Sequence, residues 1–267
     1  MTAEAVPQLL TGRRHSQVPA PRPEAGRPTT TGLTGLSIVL PCFNEEPNIG
    51  EAVRQATAAA RLFSDRHEVI VVDDGSYDDT ARVAANLAVA DRRVRLVLHS
   101  DNRGYGAALR SGIAAARMPW VLLTDADLQF DLLDLEEFLP FTESSDLIVG
   151  YRIARQDPLG RRACAAGWNW LMRSIFEIPV QDVDCAFKLV RADLLERIEL
   201  VSSGAVISAE LIAKSLQAGA RLTEHGVHHL PRPAGEQSGA SPRVIVRAFR
   251  ELLELREILR PTAHLTG

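Results

Sequence analysis

Trp120-Val121-Leu122-Leu123-Thr124-Asp125-Ala126-Asp127 is the stretch whose reading decides the fold: an apolar run that ends in two carboxylates one residue apart. A short continuous apolar run closed by polar residues predicts a strand over 120–124 buried on both faces. If the chain stays extended past that end, alternate residues point the same way, so both carboxylates can face one ion. Outward from this stretch the pattern repeats. Predicted strands at 36–40, 68–72, 94–98 and 146–149 alternate with predicted helices at about 47–63, 79–90, 106–116 and 132–139. Pro47 falls where a first helical turn tolerates proline, and Ala58, Ala59 and Ala60 favour a closely packing helix. Such alternation predicts an α/β fold, a mostly parallel central sheet with helices on both faces.

In an open sheet of this kind ligands bind beyond the carboxyl ends of the strands. There the chain places Pro41-Cys42-Phe43-Asn44-Glu45-Glu46, Asp73-Asp74-Gly75-Ser76, His99-Ser100-Asp101-Asn102-Arg103-Gly104 and Asp125-Ala126-Asp127. Each cluster alone is ordinary turn and cap chemistry. Four successive clusters on one edge point to a site. Mg²⁺ and Mn²⁺ prefer oxygen ligands, and Mg²⁺ typically takes one or two carboxylates plus substrate phosphates, so Asp125 and Asp127 are the candidate metal ligands, with a diphosphate completing the shell. Gln129 is placed to add a carbonyl oxygen or a water contact.

Other chemistries fit less well. Gly104-Tyr105-Gly106 has Leu109 where a dinucleotide fingerprint needs glycine, and it follows the third strand instead of the first. Its helix start still offers amides to an anion. No Gly-Lys-Ser/Thr P-loop occurs. The 267 residues carry 30 Lys and Arg against 34 Asp and Glu, a net charge of -4, which removes the electrostatic reason for a nucleic-acid partner. Cys42, Cys164 and Cys185 lack zinc or redox spacing, and no apolar run reaches about 18 residues, so a cytoplasmic protein is expected.

Taken with Ser37-Ile38-Val39-Leu40 before the first cluster, Tyr77-Asp78-Asp79-Thr80 after the second, Tyr105-Gly106 after the third and Leu128-Gln129 after the fourth, these motifs resemble family 2 glycosyltransferases over about residues 36 to 240. The branch they are most similar to is the dolichol- or polyprenyl-phosphate mannosyltransferase-like one. The resemblance implies a GT-A fold, with a Rossmann-like half that binds a UDP- or GDP-linked sugar and an acceptor half. It implies that Pro41, Phe43 and Glu45, with Val72 and Asp74, line the nucleoside pocket, and that Asp125, Ala126 and Asp127 form the metal and diphosphate site. Arg152 matches an arginine that reaches the donor phosphates, and Arg232 in the closing loop Val227–Gly235 would contact the diphosphate. After that loop the mannosyl branch carries a lysine; this chain reads Glu236-Gln237-Ser238-Gly239.

The resemblance also marks Gln181-Asp182-Val183-Asp184-Cys185-Ala186-Phe187-Lys188 as an acceptor-side segment, and Glu210 as the acidic residue of the next helix. A lipid-phosphate acceptor is already ionised at neutral pH and needs no general base. A hydroxyl acceptor does need one, and Asp182, Asp184 and Glu210 are the candidates. Arg155, Arg161 and Arg162, before Trp168 and Trp170, suit a phosphorylated head group or a solvated basic face. His225, His228 and His229 lack the carboxylate partner of a zinc site.

The expected organisation is a disordered tail at 1–33, a catalytic domain at 34–240, and a C-terminal amphipathic helix and tail at 241–267. The basic, amphipathic helix at 241–260 suits packing on the domain or peripheral contact with a membrane surface. Three functions follow: inverting transfer from a nucleotide sugar to a polyprenyl phosphate, transfer to a soluble small-molecule hydroxyl, or nucleotide-sugar binding without catalysis.

Overall fold

A computed structural model describes residues 32–153, 159–235 and 242–259, with side chains at 159–165, 242–249 and 258 left aside. The expected tail up to Thr31, the arginine at 155 and the stretch 236–241 lie outside the described residues, as do the side chains of Arg161 and Arg162.

The chain runs β1 (Leu36–Cys42), α1 (Glu46–Phe63), β2 (His67–Asp73), α2 (Thr80–Ala90), β3 (Val94–Leu98), α3 (Tyr105–Ala115), β4 (Trp120–Leu123), a 3₁₀ segment (Leu132–Phe141), β5 (Leu147–Ile153), α4 (Leu159–Phe176), β6 (Lys188–Arg191), α5 (Ala192–Arg197), α6 (Ile207–Gln217), β7 (Leu222–His228) and α7 (Pro242–Leu259). The five strands and the helical segments expected before residue 150 are present within a few residues. β6 and β7 are additions. Leu33, assigned to the tail, belongs to the domain: it is buried, and its amide donates to the Phe63 carbonyl at 2.8 Å.

The sheet order is β3-β2-β1-β4-β6-β5-β7, parallel except where β6 pairs antiparallel with β4 and β5. β1 and β2 are buried along their whole length, which is why apolar runs, Ile38–Leu40 and Val69–Val72, form their centres. Ile38 and Leu40 pack on the α1 side, while Val39, Val121 and Leu123 pack on the side of α3 and α6. α3 lies hard against that second face, because a Cβ on Gly112 would stand 2.3 Å from Val39 Cγ1.

After β1 the chain builds outward through β2 and β3, then returns to lay β4 on the other side of β1. That reversal opens a crevice at the carboxyl ends of β1 and β4. Antiparallel β6 pairs Lys188 with Leu123, which brings the end of the Gln181–Phe187 segment to the same edge.

Candidate active site

Beyond β4 the carboxylates alternate with a core residue as the extended chain requires: Ala126 is 2% exposed and packs inward, between Asp125 and Asp127. Leu128 then takes a left-handed φ of 62°, a turn in which the Gln129 amide donates to Asp127 Oδ1 at 3.1 Å. Asp125 Oδ1 is shut off from solvent and has no hydrogen-bond partner. Burial raises the Asp125 pKa, opposed by the Tyr105 hydroxyl and the Lys188 and Arg152 cations. Burial and the charge of Asp125 push Asp127 up to about 7. Two neighbouring acids, one with an orphaned oxygen and both made reluctant to ionise by burial, lack compensating positive charge, which suits a hard divalent cation.

The closing loop lies across this pair. Gln129 and Leu230 exchange main-chain and side-chain bonds, Leu230 N to Gln129 O at 2.8 Å and Gln129 Nε2 to Leu230 O at 3.2 Å. Gln129 therefore pins the loop beside the carboxylate pair. Arg232 spans two acids, with Nη2 2.5 Å from Glu45 Oε1 and Nη1 3.3 Å from Asp127 Oδ2. Glu45, Asp125, Asp127 and Arg232, expected together, are together.

Four other expected residues have different work in this structure. Val72 is fully buried and packs in the core with Val39, so its side chain cannot line a nucleoside pocket. Asp74 accepts the Arg103 amide at 2.9 Å and the Gly104 amide at 2.8 Å and meets His99 Nδ1 at 2.6 Å, so it fixes the loop after β3. Arg152 holds Asp182 in a two-pronged pair, Nε to Oδ2 and Nη2 to Oδ1, both at 2.7 Å. Burial pulls the Arg152 guanidinium down, but the Asp182 carboxylate outweighs it and raises it. Glu210 is fully buried; its oxygens accept the Val201 and Ser202 amides, each at 2.8 Å, and pair with Lys214 at 2.6 Å. Burial raises Glu210, yet these donors hold it below the ordinary range, so it is a loop anchor and no accessible base. Asp184 stays half-buried on the acceptor-side segment, Pro41 is buried within β1, and Phe43 meets Tyr77 edge-on with ring centroids 5.7 Å apart.

The helix start at α3 offers no anion site, since the Gly106 and Ala107 amides already donate to the Ser203 carbonyl at 2.9 and 3.3 Å. His228 pairs with Asp134 at 2.8 Å, and His225 and His229 pack on Phe138 and Phe130. Among the described residues no three His, Cys, Asp or Glu side chains converge as a protein-only metal cage. α7 packs on the domain through Leu252 and Leu255, and its Glu251 accepts from Ser203 Oγ at 3.0 Å and Gly204 N at 3.1 Å. Among the described residues no helix is long and apolar enough to cross a membrane.

Sequence reading assigned no role to Tyr105, which faces Asp125, or to Lys188, which is buried and donates to the Cys185 carbonyl and to Ser208 Oγ at 3.3 Å. It also missed Asn169, whose Nδ2 reaches Asp182 Oδ1 at 3.3 Å while its Oδ1 accepts the Val183 amide at 2.8 Å. Lys188 alone left a signal, a cation inside an apolar run.

The profile described as glycosyl transferase family 2 matches residues 37–198. A dodecaprenyl-phosphate galacturonate synthase of Rhizobium johnstonii is 32% identical over 229 residues, covering 84% of this chain and 66% of its own. An uncharacterised glycosyltransferase of Mycobacterium tuberculosis is 30% identical, covering 75% of this chain and 88% of its own. An undecaprenyl-phosphate 4-deoxy-4-formamido-L-arabinose transferase of Salmonella is 27% identical, covering 79% and 64%. This chain thus spans just under two thirds of the two lipid-phosphate enzymes. In fold it is similar to the glucosyl-3-phosphoglycerate synthase of Mycobacterium tuberculosis, solved with Mn²⁺ and UDP-glucose, at a TM-score of 0.63 and 18% identity over 84% of this chain and 79% of that one. The mostly parallel sheet and this likeness bear out the GT-A expectation.

Proposed function

Because the chain belongs to glycosyl transferase family 2, we propose that it is an inverting glycosyltransferase that passes a sugar from a UDP- or GDP-linked donor to a polyprenyl-phosphate-type acceptor. The observation that carries this reading is the pair Asp125 and Asp127, with an orphaned buried oxygen, faced by Arg232 at the switch point of the sheet. A divalent ion, Mg²⁺ or Mn²⁺, held by Asp125 and Asp127 would supply positive charge to the leaving diphosphate. Arg232 adds a planar, permanently charged donor to the same phosphates, turning Nη1 from Asp127 to them. Arg152 lies next to this edge at the end of β5 and reaches the phosphates only by loosening its grip on Asp182. Phe43 and Glu45 flank the donor side.

In the transfer an acceptor oxygen forms a bond to the anomeric carbon as the bond from that carbon to the diphosphate breaks, and the electron pair leaves on the diphosphate. Two of the three candidate bases are already engaged, which favours an acceptor that is already an anion. Asp182 is tied to Arg152 and Glu210 to its loop, whereas a phosphate monoester, with its second pKa near 6, attacks without losing a proton. The names of two relatives, both acting on polyprenyl phosphates, point the same way.

Transfer of radiolabelled sugar from a panel of nucleotide sugars to a short-chain polyprenyl phosphate in detergent tests the reading. Label moving to the organic phase, with metal required, is the expected result. Donor consumed only with water-soluble hydroxyl acceptors would replace the lipid phosphate with a soluble substrate.

A further inference from the structure

Asn48, in the first turn of α1, is 1% exposed and takes no part in the chemistry just described. At the third helical position a polar side chain ordinarily turns back to the amide of the cap residue. Here that amide is taken, since Glu45 N donates to Thr80 Oγ1 at 2.8 Å. Asn48 Nδ2 instead donates in two directions, to Glu45 Oε2 at 2.7 Å and to the Ala234 carbonyl at 3.1 Å. Arg232 closes the circuit from the other side, with Nη2 2.5 Å from Glu45 Oε1 and Nε donating to the same Ala234 carbonyl at 2.8 Å. Only Nη1 is left over, and it points at Asp127 Oδ2, 3.3 Å away. Gly235, at φ 84°, lets the chain fold back over this ring, because a Cβ there would stand 3.0 Å from Arg232 Nη2.

We propose that Asn48 is a positioning residue for the donor site: it joins Glu45 to the closing loop so that Arg232 is held facing the carboxylate pair before the diphosphate arrives. The proposal rests on the nucleotide-sugar reading. A helix-capping role does not explain the geometry, as the cap amide is satisfied elsewhere. Simple packing does not explain it either, since an apolar side chain would leave the buried Glu45 Oε2 without its donor and would untie Glu45 from the closing loop. The ring holds Arg232 through both acceptors, so an orientation that a free arginine would sample rarely is fixed in advance.

The test is a double-mutant cycle on the binding of UDP and of GDP with Mn²⁺, read by calorimetry on the wild type, Asn48→Ala, Arg232→Ala and the double variant. Loss of a bond to a charged group predicts about tenfold weaker nucleotide binding in Asn48→Ala, and no further loss when it is added to Arg232→Ala. Asn48→Ser keeps one donor and is expected to lose about threefold with the same non-additivity, which serves if the alanine variant does not fold. Hydrogen exchange of the segment 230–235 in the metal-free protein should be faster in Asn48→Ala. Binding within about twofold of wild type, or losses that multiply in the double variant, overturns the proposal alone. A wild type that binds neither nucleotide overturns the donor reading, and this proposal with it.

Discussion

In the metal-free protein Asp127 keeps its proton up to about pH 7, well above its ordinary 3.8, because burial and Asp125 disfavour the charge. The folded state then binds a proton that the unfolded chain has lost, so this residue's contribution to stability falls as pH rises from about 4 to 7 and levels off above. Denaturant titrations across that range should show the slope in the wild type and a flatter profile in Asp127→Asn. Metal competes with the same proton, so Mn²⁺ affinity should weaken toward about tenfold for each pH unit below 7. Glu210 makes a contrasting case. Its carboxylate is buried against two amides and Lys214, so Glu210→Ala should cost about 3 kcal/mol of stability by chemical denaturation while nucleoside diphosphate affinity stays within about twofold. At this scale the sequence showed which residue types lie near the edge, since Asp125, Asp127, Glu45 and Arg232 do converge. It did not show their partners. Asp182 and Glu210 read as free bases because Arg152 lies 30 residues from the first and the amides that tie down the second belong to a loop without any motif.

Among the elements, the α/β half up to β5 was legible because β1, β2 and β4 are buried on both faces and are built round apolar runs, while β3 and β5 are short apolar segments closed by polar residues. β6 was not. It is a four-residue strand, Lys188-Leu189-Val190-Arg191, with a charge at each end, and its direction is set by pairing with β4 and β5. β7 carries Glu224, His225 and Gly226 in its middle, a poor strand composition that is held by its parallel register with β5. The close seat of α3 on the sheet gives a direct check of packing. Gly112→Ala puts a methyl 2.3 Å from Val39 Cγ1 and 3.1 Å from Val72 Cγ2, and should lower stability by about 1–3 kcal/mol in thermal or denaturant unfolding. Because α3 also presents Tyr105 to Asp125, the same change should weaken metal binding more than a surface Gly→Ala control such as Gly167→Ala, whose added methyl meets nothing within 4 Å.

Over the whole molecule, one edge of one sheet gathers the ends of β1 and β4, the Gln181–Phe187 segment before β6 and the loop after β7. α7 grips the Ser203–Gly204 turn through Glu251, so the C-terminal helix is part of the domain along the residues described there. Sequence periodicity left open whether that helix packs or faces a membrane, because an amphipathic pattern is the same in both. The proposed function rests on the donor site at that edge. Calorimetric titration of UDP- and GDP-linked sugars, with and without Mn²⁺, against the wild type and Asp127→Ala tests it most directly, with circular dichroism confirming that the variant is folded. Metal-dependent binding of at least one donor by the wild type, lost in the folded variant, is the predicted result. Equal affinity in the two proteins, or binding indifferent to metal, would contradict it.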